Sequence, residues 1–209
     1  MPSFTDEIVA CHDCASLKSA RRLKMEDKPY ATFRVEEKWL PKGKINVLFI
    51  AESPPWNGKQ SYFYNRAEDN KSTNLRKEVF KYLNLQLDSF KNEGYFLIDS
   101  IKCRLNKQNN ATVPSKILET CRAKFLGREI EGLRPKVIFA LGDSARKALQ
   151  GLSEKSEFSE FNDLANHKIT EDYDKTLSGY RVILCVYPGG QTRNYISNIE
   201  RSFSKITPT

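Results

Sequence analysis

The sequence predicts an α/β fold of three layers, α/β/α, around a central four-stranded parallel sheet. Three observations carry this. Four short apolar runs, at 44–51 (KINVLFIA), 95–99 (YFLID), 136–141 (KVIFAL) and 181–187 (RVILCVY), are continuous rather than alternating, the pattern of strands buried on both faces. Segments with apolar residues at helical spacing separate them. Three strand ends carry polar or special groups: Glu52, Asp99 and the loop Pro188–Arg193. In a parallel sheet those ends share one edge, where open α/β sheets bind ligands.

The totals fit one domain, residues 1–209, long enough for a sizeable core. An apolar fraction of 39% and a charged fraction of 29% are those of a soluble globular protein. No apolar run approaches a membrane span of ~20 residues, and the start of the chain has no apolar signal region. A cytoplasmic location is expected, and in that compartment five cysteines point to metal rather than disulfides. The net charge of +8 suits a polyanion partner, as it also suits a solvated lysine-rich surface.

Residues 1 to about 43 are polar and poorly periodic. They carry Cys11-His12-Asp13-Cys14, then Lys18, Arg21, Arg22 and Lys24. A CxxC presents two thiols to one metal or forms a redox pair, and nothing around this one has a strand–helix redox context. The first strand runs straight into Glu52-Ser53-Pro54-Pro55-Trp56. A loop from Gly58 to Asn70 follows, with Tyr62-Phe63-Tyr64 as candidate stacking platforms for a base. Asn70 to Leu85 reads as a helix capped by Ser72 or Thr73, with Leu75, Val79, Phe80 and Leu83 on one face.

The stretch Tyr95–Cys121 is a strand, a polar loop and a helix whose first turn Pro114 marks. Asp99 ends the strand, Lys102-Cys103-Arg104 follows, and Ile117, Leu118, Cys121 and Phe125 recur at helical spacing. Cys103 and Cys121 therefore flank the loop and can converge on one atom or cluster. After the third strand, Gly142-Asp143-Ser144 turns into a helix, Ala145–Gln150, closed by Gly151. Residues 153–175 are charged and aperiodic, a surface excursion. A last helix starts near Asn194, with Ile196, Ile199 and Phe203 inward.

With these residues in place the chain resembles the uracil-DNA glycosylase superfamily, nearest its iron–sulfur branch, family 4, from Cys11 to Arg193. The most specific match is the cysteine set: a CxxC near the start, Lys-Cys-Arg after the second strand, and a cysteine 18 positions on. On chemistry alone Cys11, Cys14, Cys103 and Cys121 suit a [4Fe–4S] cluster and equally tetrahedral zinc; the resemblance implies the [4Fe–4S] cluster. Cys185, in an apolar strand, reads as a buried small hydrophobe. Ala51-Glu52-Ser53-Pro54 looks like the family's water-activating motif, and Tyr187-Pro188 through Arg193 falls where the family has its His-Pro motif. Departures are Tyr187 in place of a histidine, Asp99 in place of the uracil-reading asparagine, Pro55 in place of a glycine, and a shorter loop to Phe63.

The resemblance implies a monomeric, monofunctional DNA glycosylase for base excision repair, acting on single- or double-stranded DNA. Glu52 would stabilise the cationic sugar and position water. Tyr187 would help the base depart, together with backbone N–H groups at Gly189 and Gly190. Phe63 or Tyr64 would stack on the flipped base, and Arg193, Lys102 and Arg104 would contact DNA. An ionised Asp99 only accepts hydrogen bonds, which suits the amine of a cytosine-type base; a protonated Asp99 both donates and accepts and suits uracil. Two other classes stand beside this reading: a glycosylase fold that binds DNA or a base without cleaving, and an unrelated zinc-stabilised nucleic-acid protein.

Overall fold

The computed structural model describes residues 4–56, 61–65, 73–107, 112–152, 174–177, 179–188 and 195–206. All four expected strands form: β2 (Val47–Ala51), β3 (Tyr95–Asp99), β5 (Val137–Leu141) and β7 (Tyr180–Cys185). They are parallel and stand in the order β3-β2-β5-β7. A fifth strand, β6 (Asp174–Leu177), pairs antiparallel with β7 and takes the edge. It lies at the end of a segment whose charge and missing period had suggested only a surface excursion. Antiparallel pairing to β7 supplies there what local sequence does not.

Every residue of β2 and β3 is buried, and alternate residues serve opposite faces of the sheet. On one face Phe49, Phe139 and Phe203 form an aromatic stack with centroids 4.9–6.3 Å apart. Phe203 comes from the last helix, α9 (Ile196–Ser204). On that side lie also α4 (Asn74–Leu83) and α5 (Leu87–Asn92); Phe90 packs directly on Phe49 with ring centroids 5.3 Å apart, and Phe80 joins through Phe90. On the other face α8 (Gly142–Gln150) packs against β2, β5 and β7, with α6 (Ser115–Cys121) beside it.

Several boundaries move for physical reasons. Thr73 is the cap of α4, its hydroxyl accepting from Arg76 N at 3.1 Å. Pro114 stands one place before α6 and its carbonyl accepts from Ile117 and Leu118. The helix then runs through a wide π-type turn (Arg122–Leu126) into α7 (Gly127–Leu133). Ile196 is exposed, a correction to the expected inward face, while Ile199 and Phe203 are buried.

The polar N-terminal stretch is more ordered than its composition suggests. It forms α1 (Thr5–Ala10), β1 (Leu23–Lys24), α2 (Pro29–Thr32) and α3 (Val35–Trp39). Phe4, Ile8, Tyr30, Val35 and Trp39 join the same hydrophobic cluster as the sheet. β1 pairs with β4 (Arg104–Leu105), which ties the stretch to the segment after β3. Among the described residues no helix is long and apolar enough to cross a membrane.

Candidate active site

The chain leaves β2 for β3 on one side and later returns to place β5 on the other. The carboxyl ends of β2 and β5 therefore border the crevice where open α/β sheets take ligands. Glu52 follows β2 directly. The Ser144 hydroxyl, from the first turn of α8 after β5, donates to Glu52 Oε2, and Lys107 Nζ lies 2.6 Å from Oε1. Gly142 makes the approach of α8 possible. Its φ of 84° lies in the left-handed region, and a Cβ there would stand 3.0 Å from the Cβ of Tyr187.

Asp99 is level with Ala51 in the register between β2 and β3. Ser100 N and Oγ both donate to Ala51 O (2.8 and 2.9 Å), and Ile101 N donates to Glu52 O at 2.9 Å. These bonds lock the two strand ends together, so both carboxylates open into one pocket of about 470 Å³. Trp56, Tyr62, Phe63 and Tyr187 also line it, a volume that suits a small-molecule-sized group such as a base.

Asp99 is buried and its Oδ2 accepts from the Tyr62 hydroxyl at 3.3 Å. Burial pushes its carboxyl up to about 7, against the pull of Lys102 and Tyr62. Tyr187 is 42% exposed, yet its hydroxyl is pushed up from the ordinary value, first by burial and then by the charges of Glu52 and Asp99. It therefore keeps its proton at neutral pH and can donate.

Three expectations change. Tyr64 does not line the pocket: its hydroxyl accepts from Leu97 N (2.6 Å) and donates to Leu97 O (3.0 Å), satisfying the free edge of β3. Phe63 alone of the two reaches the pocket, with its ring against Phe80 and Phe90. Lys102 is no DNA contact, because it is buried, 2.6 Å from Glu129 and 2.7 Å from Asp99 O. Arg104 is no DNA contact either. It is fully buried and donates to Asp27, Pro55 O and Ser61 O at 2.6–2.8 Å, pinning both ends of the pocket wall from inside. Gly189, Gly190 and Arg193 lie outside the described residues.

Residues that sequence reasoning gave no role are Ser144, Lys107, Lys28 and Trp56. Trp56 closes the Glu52-Ser53-Pro54-Pro55 run, and Lys24 Nζ stands 4.3 Å from its ring centroid. The adjacency of Trp56 to a carboxylate at a strand end was the available signal.

Cys11, Cys14, Cys103 and Cys121 are mutual neighbours. Cys14 and Cys121 lie within reach of a thiol hydrogen bond, and Cys103 is close enough to interact with Cys11, Cys14 and Cys121. The buried Lys28 donates to Cys103 Sγ at 3.2 Å and to Cys11 O at 2.9 Å, and Lys102 N–H donates to Cys121. Among the described residues no three metal-binding side chains close on one ion-sized point. Four free thiols around one space, with a buried cation and a backbone donor to offset thiolate charge, are a donor set that suits a multi-iron cluster. Cys185 lies apart, buried in β7, and donates to Val186 O.

The family model of the uracil DNA glycosylase superfamily matches residues 38–208. The match takes in Glu52, Asp99, Cys103, Cys121 and Tyr187, and Cys11 and Cys14 precede it. No curated protein matches the chain.

Proposed function

The chain belongs to the uracil-DNA glycosylase superfamily, and on that premise we propose that it hydrolyses the N-glycosidic bond of a base turned out of the DNA stack. The observation that carries this is the Glu52 carboxylate at the crevice, held on both oxygens and facing the same pocket as Asp99 and Tyr187. A base inside a duplex hides its glycosidic carbon, so the target must be flipped into such a pocket.

As the bond breaks, positive charge grows on the sugar and negative charge on the base. Glu52 stabilises the first and accepts a proton from the attacking water. The water oxygen bonds to the sugar carbon, and the electron pair of the broken bond leaves with the base. The Tyr187 hydroxyl, kept protonated, donates to the departing base. Phe63 stacks against it, and Asp99 reads its polar edge. Because a buried aspartate differs from an asparagine in donor capacity, the reading leans from uracil toward a cytosine-type or modified base.

Cys11, Cys14, Cys103 and Cys121 would hold a [4Fe–4S] cluster. When bound, it would act as a structural tie between the N-terminal stretch and the segment after β3. The competing reading is a fold that binds a base without cleaving, and Tyr187 in the histidine's place favours it. Base release from oligonucleotides carrying uracil, hypoxanthine, xanthine, cytosine or modified cytosines separates the two. Release of any one supports the enzyme, and binding without release of any supports the module. DNA affinity in either case falls steeply with salt, as lysine and arginine displace counterions from phosphates.

A further inference from the structure

The two pocket carboxylates are held differently. Both oxygens of Glu52 are occupied. Asp99 has one hydrogen bond to its carboxylate among the described residues, from Tyr62 to Oδ2, which leaves Oδ1 to the pocket it lines. Tyr62 cannot easily turn away. It is 1% exposed, with its ring 5.3 Å from Phe33 and 6.0 Å from Tyr64. Burial, and then the nearby charge of Asp99, hold its hydroxyl well above the ordinary range, so it is a donor at any working pH.

We propose that Tyr62 is a positioning residue for base choice: by donating to Oδ2 it makes Oδ1 the single Asp99 oxygen that meets a flipped base, accepting from an amine-bearing edge when Asp99 is ionised and donating to a keto edge when it is protonated. This rests on the glycosylase reading and on Asp99 as its base reader. The chemistry follows from carboxyl geometry. A proton on Asp99 avoids the oxygen that already accepts from Tyr62 and sits on Oδ1, where it faces the ligand. The exchange between the two forms falls near neutrality.

The groups that face Asp99 come from every side of it. Lys102 lies in the turn after β3 and is neutralised by Glu129 of α7. Glu52 stands beyond β2 and Tyr187 beyond β7. Tyr62 and Tyr64 come from the loop before α4. Of these, Lys102 and Tyr62 favour the ionised form, and Glu52 and Glu129 oppose it. Removing the Tyr62 hydroxyl must therefore move the exchange to higher pH.

The test compares matched single-stranded oligonucleotides carrying one uracil, one cytosine or one 5-methylcytosine. Release and affinity are measured from about pH 6 to about pH 8 with wild type, Tyr62→Phe and Asp99→Asn. In wild type the preference for cytosine-type over uracil should rise with pH by on the order of 100-fold, tenfold from each form. Tyr62→Phe should move the midpoint up by roughly one pH unit, and Asp99→Asn should be flat. Carbon NMR of the Asp99 carboxyl in wild type and Tyr62→Phe reads the same displacement without activity. A flat wild-type preference, or Tyr62→Phe profiles that superimpose on wild type, overturns the proposal. Failure of the underlying reading looks different: no base is released at any pH, while the carboxyl midpoint and the binding preference still move with Tyr62→Phe.

Discussion

Lys107 Nζ lies 2.6 Å from Glu52 Oε1, while the hydroxyl of Ser144 holds Oε2. Lys107 is half exposed, so the pair contributes little to stability, about 0–1 kcal/mol. Its consequence is orientation, because the carboxylate is fixed before substrate arrives. Ser144→Ala removes one hold without changing charge. Single-turnover base release should fall roughly tenfold, the worth of one hydrogen bond to a charged group, with DNA affinity unchanged. An unaltered rate would remove Ser144 from the site.

Asp99 makes stability depend on pH. Its carboxyl titrates at about 7 in the folded chain against an ordinary 3.8. Between those values the native state holds a proton that the unfolded chain has released. Stability from this group therefore falls as pH rises through that window and is constant above it. Asp99→Asn keeps an acceptor for Tyr62 and removes the charge. Denaturant unfolding should show it more stable than wild type at about pH 8, by a few kcal/mol at ~1.4 per pH unit of the window. The gain should vanish near pH 4. A gain that is equal at both ends contradicts the assignment of the titration to Asp99.

Arg104 should matter to the fold and not to phosphates. Arg104→Ala leaves Asp27, Pro55 O and Ser61 O without their donor. Breaking such a buried charge network costs about 3–5 kcal/mol. The dependence of DNA affinity on salt concentration, measured where the variant is still folded, should keep the wild-type slope. A slope smaller by about one phosphate contact would restore Arg104 as a DNA ligand.

The four clustered cysteines predict about four iron atoms per chain in protein purified without oxygen. Cys103→Ser or Cys121→Ser should lose them and lower the melting temperature, whereas Cys185→Ser should keep them. Stoichiometric zinc without iron would sink the cluster.

What could be read from sequence, and what could not, divides along physical lines. β2, β3, β5 and β7 were legible because strands buried on both faces are uniformly apolar. Glu52 and Asp99 were legible because an acid at the end of such a strand has few places to point. Lys102 and Arg104 were misjudged because basic residues beside a cysteine look alike whether they face solvent or a buried Glu129 and two carbonyls. Tyr64 and Phe63 are buried neighbours of similar character, and only the edge of β3 decides which of them leaves the pocket. The Ser144–Glu52 contact spans 92 positions, a distance no local pattern encodes. β6 exists through its pairing with β7, not through its own residues.

The central claim is that Glu52 carries base release, and one measurement tests it most directly. Single-turnover release from the oligonucleotide that wild type processes fastest is compared with Glu52→Gln, which keeps the shape and removes the charge. Release should fall by ~10² or more, the scale of losing one electrostatic group at a reacting centre, with DNA affinity retained. Equal rates for variant and wild type, or no release of any base by wild type, would contradict it.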